Sequence, residues 1–314
     1  MISHANHLSG RIKMAETEKS LSKEQIFRQV KQLCMKADFA PSRRLICQAA
    51  GLTPPDPMKI SRAFIRSQTQ NKIVHQMLDI EQAFARLRKT FSGDEPDENE
   101  AQLTAQNLEN ILPLMSNNQE RLFVRYWIDN CYGYLTDITP EKRLENINEI
   151  INLIPKGKND SLLYSYSLLV KDLNISAADK YHTVKKAYQK TNKQEHLSRH
   201  YKELLNKTGK NYYYVLCNTA SDANTPYKQR CSAVYDAVDV LKDIKYSMSY
   251  KCRARIELLN ALEKLQQRQN DAKGMQKTFL LRRKYINHLN NINRLFPNPC
   301  LLYTSPSPRD KRQS

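Results

Sequence analysis

The sequence predicts an all-α protein, with a small N-terminal helical unit followed by an array of antiparallel helical hairpins. Only 7 of its 314 residues are glycine and one is tryptophan, while residues that favour helix, such as Leu, Lys, Gln and Glu, are abundant. Helix-capping patterns recur along the chain, and the apolar residues between them are spaced three and four apart. We expect the array to be either a solenoid or an irregular bundle.

The N-terminal helical unit is expected over residues 20–91, after a polar segment, 1–19, whose lack of apolar periodicity predicts disorder. Ser22 and Gln25 have the spacing of a capping box, in which each side chain bonds the other residue's backbone amide. The first helix is therefore predicted to begin near Ser22.

Two further helices are predicted in this unit. A short one opens at Pro41 and ends at Gly51, because proline is tolerated in a first turn and glycine favours helix ends. The prolines within 54–57 require an extended turn, after which one longer helix is expected to run to about Phe91.

Residues 92–101 are predicted to be an acidic linker. The segment contains a glycine, a proline and five carboxylates, and it has almost no apolar side chain to bury. The carboxylates do not have the spacing of a calcium-binding loop.

The helical-hairpin array is expected over residues 102–299, and four helix starts are marked by capping patterns. They are Ser116 with Gln119, Thr139-Pro140, Ser176 with Asp179, and Thr225-Pro226. Two long helices, about Lys245 to Gln269 and Asp271 to Leu295, are expected to close the array.

An internal repeat is the main organisational feature of the array. Aligning Trp127, Tyr164 and Tyr214 also aligns Arg143, Lys180 and Arg230, at offsets of 37 and 50 residues. Over about residues 120–241 this pattern resembles tetratricopeptide-like α-solenoids, which stack helical hairpins into a curved array. The family has a small residue early in the second helix of each hairpin, where this chain has Arg143, Lys180 and Arg230.

Residues 300–310 resemble the translation of a sequencing adapter. We therefore expect the natural reading frame to end near Pro299 and residues 300–314 to be a non-native tail, which must be left out of fold reasoning.

The chain has a net charge of +18, and its positive charge lies on both sides of an acidic middle segment. Residues 1–93 hold 16 Lys and Arg against 7 Asp and Glu, residues 94–150 hold 4 against 12, and residues 151–299 hold 27 against 12. Such a field attracts polyanions, although lysine-rich helix faces also serve simply to keep a protein dissolved.

The sequence carries no standard catalytic or cofactor motif, so no cofactor is expected and an enzyme is only the third interpretation. The seven cysteines form no close pair, which is typical of reduced thiols in the cytoplasm. His196 and His200, with His182, have a spacing that would allow a shared metal, but no suitably placed carboxylate supports one, and no metal is predicted. No apolar stretch reaches the roughly 20 residues of a membrane span.

The leading interpretation is a non-catalytic scaffold or adaptor that binds a peptide or an acidic protein on a helical face. The resemblance implies a groove on the concave face of the array, with Trp127, Tyr164 and Tyr214 near it. Arg143, Lys180 and Arg230 would then contact the anionic groups of the partner.

The alternative interpretation is nucleic-acid binding. Residues 49–64 are similar to the turn and recognition helix of a helix-turn-helix unit, with Lys59, Arg62 and Arg66 facing DNA. In the second half, tyrosines interleaved with lysines would combine base stacking with phosphate neutralisation, or would instead fill the seams between hairpins. These tyrosines are residues 164, 166, 181, 188, 201, 212, 213, 214, 227, 235, 246 and 250.

Overall fold

The fold is entirely helical in the part of the chain that can be described. The computed structural model describes residues 21–93, 95–192 and 195–295, and within these ranges it contains 13 α-helices and no strand. The predicted all-α class is confirmed. The predictions for residues 1–19, for the end near Pro299 and for residues 300–314 lie outside the described residues.

The helices form two compact units that divide between Leu153 and Ile154. The first unit contains α1 Lys23–Met35, α2 Phe39–Ala49, α3 Arg62–Ser67, α4 Lys72–Thr90, α5 Glu98–Ile111, α6 Asn118–Tyr132 and α7 Pro140–Leu153, with 3₁₀ helices at Pro57–Lys59 and Leu112–Leu114. The second unit contains α8 Asp160–Asp172, α9 Ala177–Lys190, α10 Glu195–Ser221, α11 Tyr227–Val240, α12 Met248–Arg268 and α13 Ala272–Leu295.

Apolar faces hold the first unit together. Helix α1 packs on α2 and α4, and α4 to α7 then pack each on the next. Val30, Ile80, Leu108 and Ile128 come from four of these helices and are buried in one shared core. Burying each such side chain contributes about 1.5–3 kcal/mol.

The helix starts test the capping patterns directly. Ser22 and Gln25 form the predicted box, with Ser22 N donating to Gln25 Oε1 at 2.8 Å and Gln25 N donating to Ser22 Oγ at 3.2 Å. The box predicted at Ser116 and Gln119 is wrong by one residue. Asn117 caps α6 instead, accepting from the amide of Glu120 at 2.9 Å, because an asparagine side chain makes the same bond as serine.

The predicted third helix is two helices. Helix α3 ends at Ser67, and α4 begins at Lys72. The side chain of Asn71 accepts from the amides of Ile73 and Val74, which caps a new helix and stops the first from continuing. Helix α2 begins at Phe39, two residues before the predicted Pro41.

Helix α5 begins at Glu98, inside the segment 92–101 that the sequence marked as a linker. Asp97 Oδ1 accepts from the amide of Glu100 at 2.8 Å, as an N-cap should. Residues 98–101 are therefore helical, and α5 packs against α4.

Two buried ion pairs cross between helices of the first unit. The Lys31 ammonium on α1 lies 2.7 Å from Oε2 of Glu120 on α6 and has no exposed surface. Arg43 on α2 donates three hydrogen bonds of 2.8–3.0 Å to both oxygens of Glu81 on α4. Each pair joins helices that are distant in sequence.

The second unit also packs helix on neighbouring helix, from α8 to α13. Tyr181 and Tyr201 are its largest fully buried side chains. Ser176 caps α9 as predicted, accepting from the amide of Asp179 at 3.1 Å. The cap predicted at Thr225 is wrong, because its hydroxyl donates to Asp222 and α11 begins at Tyr227.

Candidate functional site

Trp127 and Arg143, two of the six residues predicted to contact a partner, lie in the first unit. The half-buried Trp127 ring packs on Phe91 with centroids 5.1 Å apart. Arg143 Nε lies 3.3 Å from Oδ1 of Asp129. Burial raises the pKa of the Asp129 carboxyl, and the Arg143 guanidinium opposes that shift. Both side chains therefore contribute to packing within the first unit.

Tyr164, Lys180 and Arg230 lie in the second unit. The half-buried Tyr164 ring stands edge-on to Tyr201, with centroids 5.2 Å apart. Lys180 is half-buried on α9. Arg230 Nε donates to the carbonyl oxygen of Ala220 at 3.0 Å and thereby satisfies a backbone group at the end of α10.

Of the three residues of the helix-turn-helix hypothesis, two face carboxylates of the protein and one faces solvent. Arg66 Nη2 lies 2.5 Å from Oδ1 of Asp79, and Arg62 Nη2 lies 3.6 Å from Oε1 of Glu81, so both face carboxylates of α4. Lys59 projects into solvent, with 84% of its side chain exposed.

The six residues predicted to contact a partner thus belong to both units, two to the first unit and four to the second. Arg143, Arg230, Arg62 and Arg66 all contact groups of their own unit. Periodicity correctly placed these side chains on helices, but it carries no information about which carboxylate or carbonyl each one meets.

Tyr214 is the exception, because 59% of its surface is exposed. It belongs to what we call the tyrosine surface, formed by Tyr213 and Tyr214 on α10, Tyr246 just before α12 and Tyr250 in the first turn of α12. Ring centroids lie 6.1 Å apart for Tyr213 and Tyr214 and 4.6 Å apart for Tyr246 and Tyr250. Tyr250 is 50% exposed. The cluster therefore presents aromatic faces and edges to solvent.

Two phenols of this surface, those of Tyr213 and Tyr246, have a pKa above the ordinary value of tyrosine. Burial raises the pKa of Tyr213, and so do Cys217 and the phenols of Tyr250 and Tyr246. Burial, followed by the neighbouring Tyr214 and Tyr250 phenols, also raises the pKa of Tyr246. Tyr213 and Tyr246 consequently add no negative charge near neutral pH that would repel an anion.

Three lysines lie on or beside the elements that carry the tyrosine surface. The Lys210 ammonium lies 5.2 Å from the centroid of the Tyr246 ring. Lys207 is exposed on α10 seven residues before Tyr214, which places it on the same helix face, and Lys245 is exposed directly before Tyr246. None of these three ammonium groups has a carboxylate within ion-pair distance among the described residues. Their charge is available to a partner.

A basic cavity of about 1440 Å³ is lined in part by Lys245, the residue that directly precedes Tyr246 of the tyrosine surface. Its walls come from the end of α9, the first turns of α10 and the segment 242–245. Arg199, Lys202, Lys242 and Lys245 line it together with two carboxylates, Glu203 and Asp243. The cavity is large enough for several side chains of a partner, and its lining is net positive.

The structure describes only part of the three-histidine arrangement. The side chain of His196 lies outside the described residues. The His182 ring packs against Tyr181 and Tyr212, and the His200 ring lies 6.0 Å from that of Tyr164. Over the described side chains, no group of three His, Cys, Asp or Glu is placed to hold a metal.

Comparison of the chain with protein-family models, with curated proteins and with solved structures gives no match. Among the helices that the structure describes, none is both long and apolar enough to cross a membrane.

In the sequence, the four tyrosines of the tyrosine surface belong to a longer set of twelve tyrosines interleaved with lysines. The structure separates that set: Tyr166, Tyr181, Tyr201 and Tyr212 are buried, whereas Tyr214 and Tyr250 are exposed. The adjacent residues 212–214 show why the sequence does not make this distinction. Successive helical residues point about 100° apart, so three neighbouring tyrosines cannot share one environment.

Proposed function

We propose that this chain is a non-catalytic helical protein that binds single-stranded nucleic acid on the tyrosine surface of its second unit. The observation that carries the proposal is the exposure of Tyr214 and Tyr250, 59% and 50%, within a cluster whose Tyr246 ring contacts the Lys210 ammonium. Exposed aromatic clusters are uncommon on proteins that have no partner.

Stacking and charge have separate roles in this proposal. The rings of Tyr214 and Tyr250 would stack on unpaired bases, at about 1–3 kcal/mol per base. Lys207, Lys210 and Lys245 would neutralise backbone phosphates. Paired bases expose only their edges in the grooves, so these rings suit a single strand better than a duplex.

Titration of a labelled oligonucleotide across a salt series, followed by fluorescence anisotropy, tests the proposal. Tyr214→Ala should weaken binding about fivefold to hundredfold, because one stacked base is lost. Tyr214→Phe should bind nearly as well as the wild type, since it keeps the ring. Lys210→Gln should reduce the slope of log affinity against log salt by about 0.7, the contribution of one phosphate contact.

Two matched substitutions serve as controls. Tyr126 is an exposed tyrosine on α6 of the first unit, and Lys158 is an exposed lysine of the second unit outside the tyrosine surface. Tyr126→Ala and Lys158→Gln should leave affinity unchanged. Absence of binding at low salt, or equal losses in Tyr126→Ala and Tyr214→Ala, would refute the proposal.

The basic cavity favours a second candidate function, the scaffold that binds a peptide or an acidic protein. Lys202 and Lys245 line the cavity, and neither has a carboxylate within ion-pair distance among the described residues. An acidic peptide should then bind with an affinity that Lys202→Gln lowers and Tyr214→Ala does not. If no glutamate-rich peptide binds at low salt, this candidate fails.

We further propose that the helical hairpins form a tetratricopeptide-like scaffold and that the chain is cytoplasmic. The packing of each helix of the second unit on the next supports the first idea, and an elongated shape in small-angle scattering would test it. The six cysteines that the structure describes are all free thiols, which supports the second, and fractionation of cells would test it.

A further inference from the structure

We infer that the first unit carries a separate binding site for a phosphate dianion, such as a terminal phosphate group. The site is a groove of about 560 Å³ lined by side chains of α3, α4 and α5. We call it the arginine groove, because Arg62 of α3 and Arg86 of α4 both line it.

The charge around the groove is not balanced. Lys89 and Glu100 also line it and lie 3.8 Å apart, so their charges compensate each other. The nearby Glu81 carboxylate accepts three hydrogen bonds from Arg43, which offset its charge. The two carboxylates, Glu81 and Glu100, thus stand against four cations, which leaves a surplus of two positive charges among the described residues: Arg43, Arg62, Arg86 and Lys89.

Arg62 lacks a partner for part of its guanidinium. Its Nε is buried and has no hydrogen-bond acceptor within the described part of the chain. Its Nη2 stays 3.6 Å from Glu81, beyond hydrogen-bond distance, because Arg43 occupies both oxygens of that carboxylate. A buried donor without an acceptor is unfavourable, and an anionic oxygen would remove that penalty.

Arg86 provides the second cation. It is half-buried at the groove and makes no ion pair or hydrogen bond with a described side chain. Guanidinium groups bind phosphate through paired N–H donors, which a lysine cannot offer in that geometry. The guanidinium fork fits carboxylate and phosphate alike, so the choice of a phosphate rests on the surplus of two positive charges around the groove.

Small side chains leave room for the ligand. Ala63 of α3 and Ala85 of α4 line the groove beside the two arginines. The surplus of two charges suits a group with at least two negative charges near neutral pH, such as a terminal phosphate or pyrophosphate. An internal phosphodiester of nucleic acid carries one charge, so this site differs from the one proposed on the tyrosine surface.

Calorimetric titration of the full chain with pyrophosphate tests the inference. Arg86→Gln should weaken pyrophosphate binding about tenfold to hundredfold, as expected for a lost charged hydrogen bond. Arg44→Gln is the matched control, because Arg44 is an exposed arginine of α2 that does not line the groove. The control should bind like the wild type, and so should Tyr214→Ala.

A second variant keeps the test independent of folding defects. Ala63 is exposed, so Ala63→Glu should fold normally, which circular dichroism can verify, while placing a carboxylate in the groove. It should abolish pyrophosphate binding.

The phosphate group could belong to the end of a nucleic-acid strand or to a free phosphate compound, and oligonucleotides with and without a 5′-phosphate distinguish these two sources. If the wild type prefers the 5′-phosphorylated strand and Arg86→Gln removes this preference, the groove binds strand ends. If both strands bind equally, the groove binds free phosphates.

The inference is overturned if the wild type shows no saturable heat with pyrophosphate. It is also overturned if Arg44→Gln lowers affinity as much as Arg86→Gln, or if Ala63→Glu binds normally.

Discussion

Replacing Lys31 by methionine tests how much the first unit depends on a buried charge. The Lys31 ammonium is fully buried, 2.7 Å from Oε2 of Glu120 and within 3.4 Å of the Leu114 carbonyl oxygen. Methionine keeps the approximate length of the side chain and removes its charge. Glu120 would then retain the amide of Ser116 as a hydrogen-bond donor, at 2.7 Å, but would lose its cation.

The expected cost follows from leaving a carboxylate without its partner. Breaking one side of a buried ion pair destabilises a protein by about 3–5 kcal/mol. For a unit of this size that corresponds to a fall in melting temperature of about 6–20 °C. The double substitution Lys31→Met with Glu120→Leu should recover most of the loss, because the uncompensated charge is also removed.

Trp127 supplies a specific assay. It is the only tryptophan in the chain, and it packs against Phe91 and Phe123 in the first unit. Urea unfolding followed by tryptophan fluorescence therefore reports the first unit alone. A loss below about 1 kcal/mol, in the range of an exposed pair, would refute the reasoning.

The same pair predicts a pH dependence. Burial acts to raise the pKa of Glu120, but the hydrogen bonds from Lys31 and from the Ser116 amide outweigh it, so the pKa lies below its ordinary value. A carboxyl with a lowered pKa stabilises the fold above its unfolded pKa of about 4.3, and this stabilisation is lost as the pH falls. The difference between wild type and Lys31→Met should thus be full at neutral pH and shrink below about pH 4.

Two further predictions concern the backbone and the thiols. Gly157 has φ +76°, and a Cβ there would overlap the Asn192 amide, so Gly157→Ala should lower the free energy of unfolding of the second unit by about 1–3 kcal/mol. Gly93→Ala is its control and should be nearly neutral, because apart from its chain neighbours no described residue has an atom within 4 Å of the added carbon; equal effects in urea unfolding would contradict this reasoning. Burial raises the pKa of Cys34 and Cys131 to about 12, so both should react with iodoacetamide more slowly than the half-buried Cys217 and Cys231. Mass spectrometry of the labelled native chain checks this order, and equally fast labelling of Cys34 and Cys217 would show that it is wrong.

Fold class and most helix positions follow from local chemistry, and local chemistry is visible in the sequence. The Ser22 and Gln25 box forms as the pattern predicts, since both partners lie within one turn. Errors occur where two local solutions compete. Ser116 and Asn117 are adjacent capping residues, and Asn117 caps α6 while the Ser116 hydroxyl accepts from Lys31.

The candidate site is harder to predict because it depends on partners that are distant in sequence. Arg143 and Arg230 have the composition of an anion site, yet one meets Asp129 and the other a backbone carbonyl. Conversely, Lys210 and Tyr246 lie 36 residues apart, and only folding places the ammonium over the ring. Spacing of a few residues identifies a helix face, but it does not identify what covers that face.

The segment 242–246 has a consequence for how ligands would influence each other. Lys242 and Lys245 line the basic cavity, and the following residue, Tyr246, belongs to the tyrosine surface. A peptide bound in the basic cavity and a single strand of nucleic acid bound on the tyrosine surface would both contact this short segment. Thermodynamic linkage makes any such influence mutual: whatever factor the first ligand imposes on the affinity of the second, the second imposes on the first.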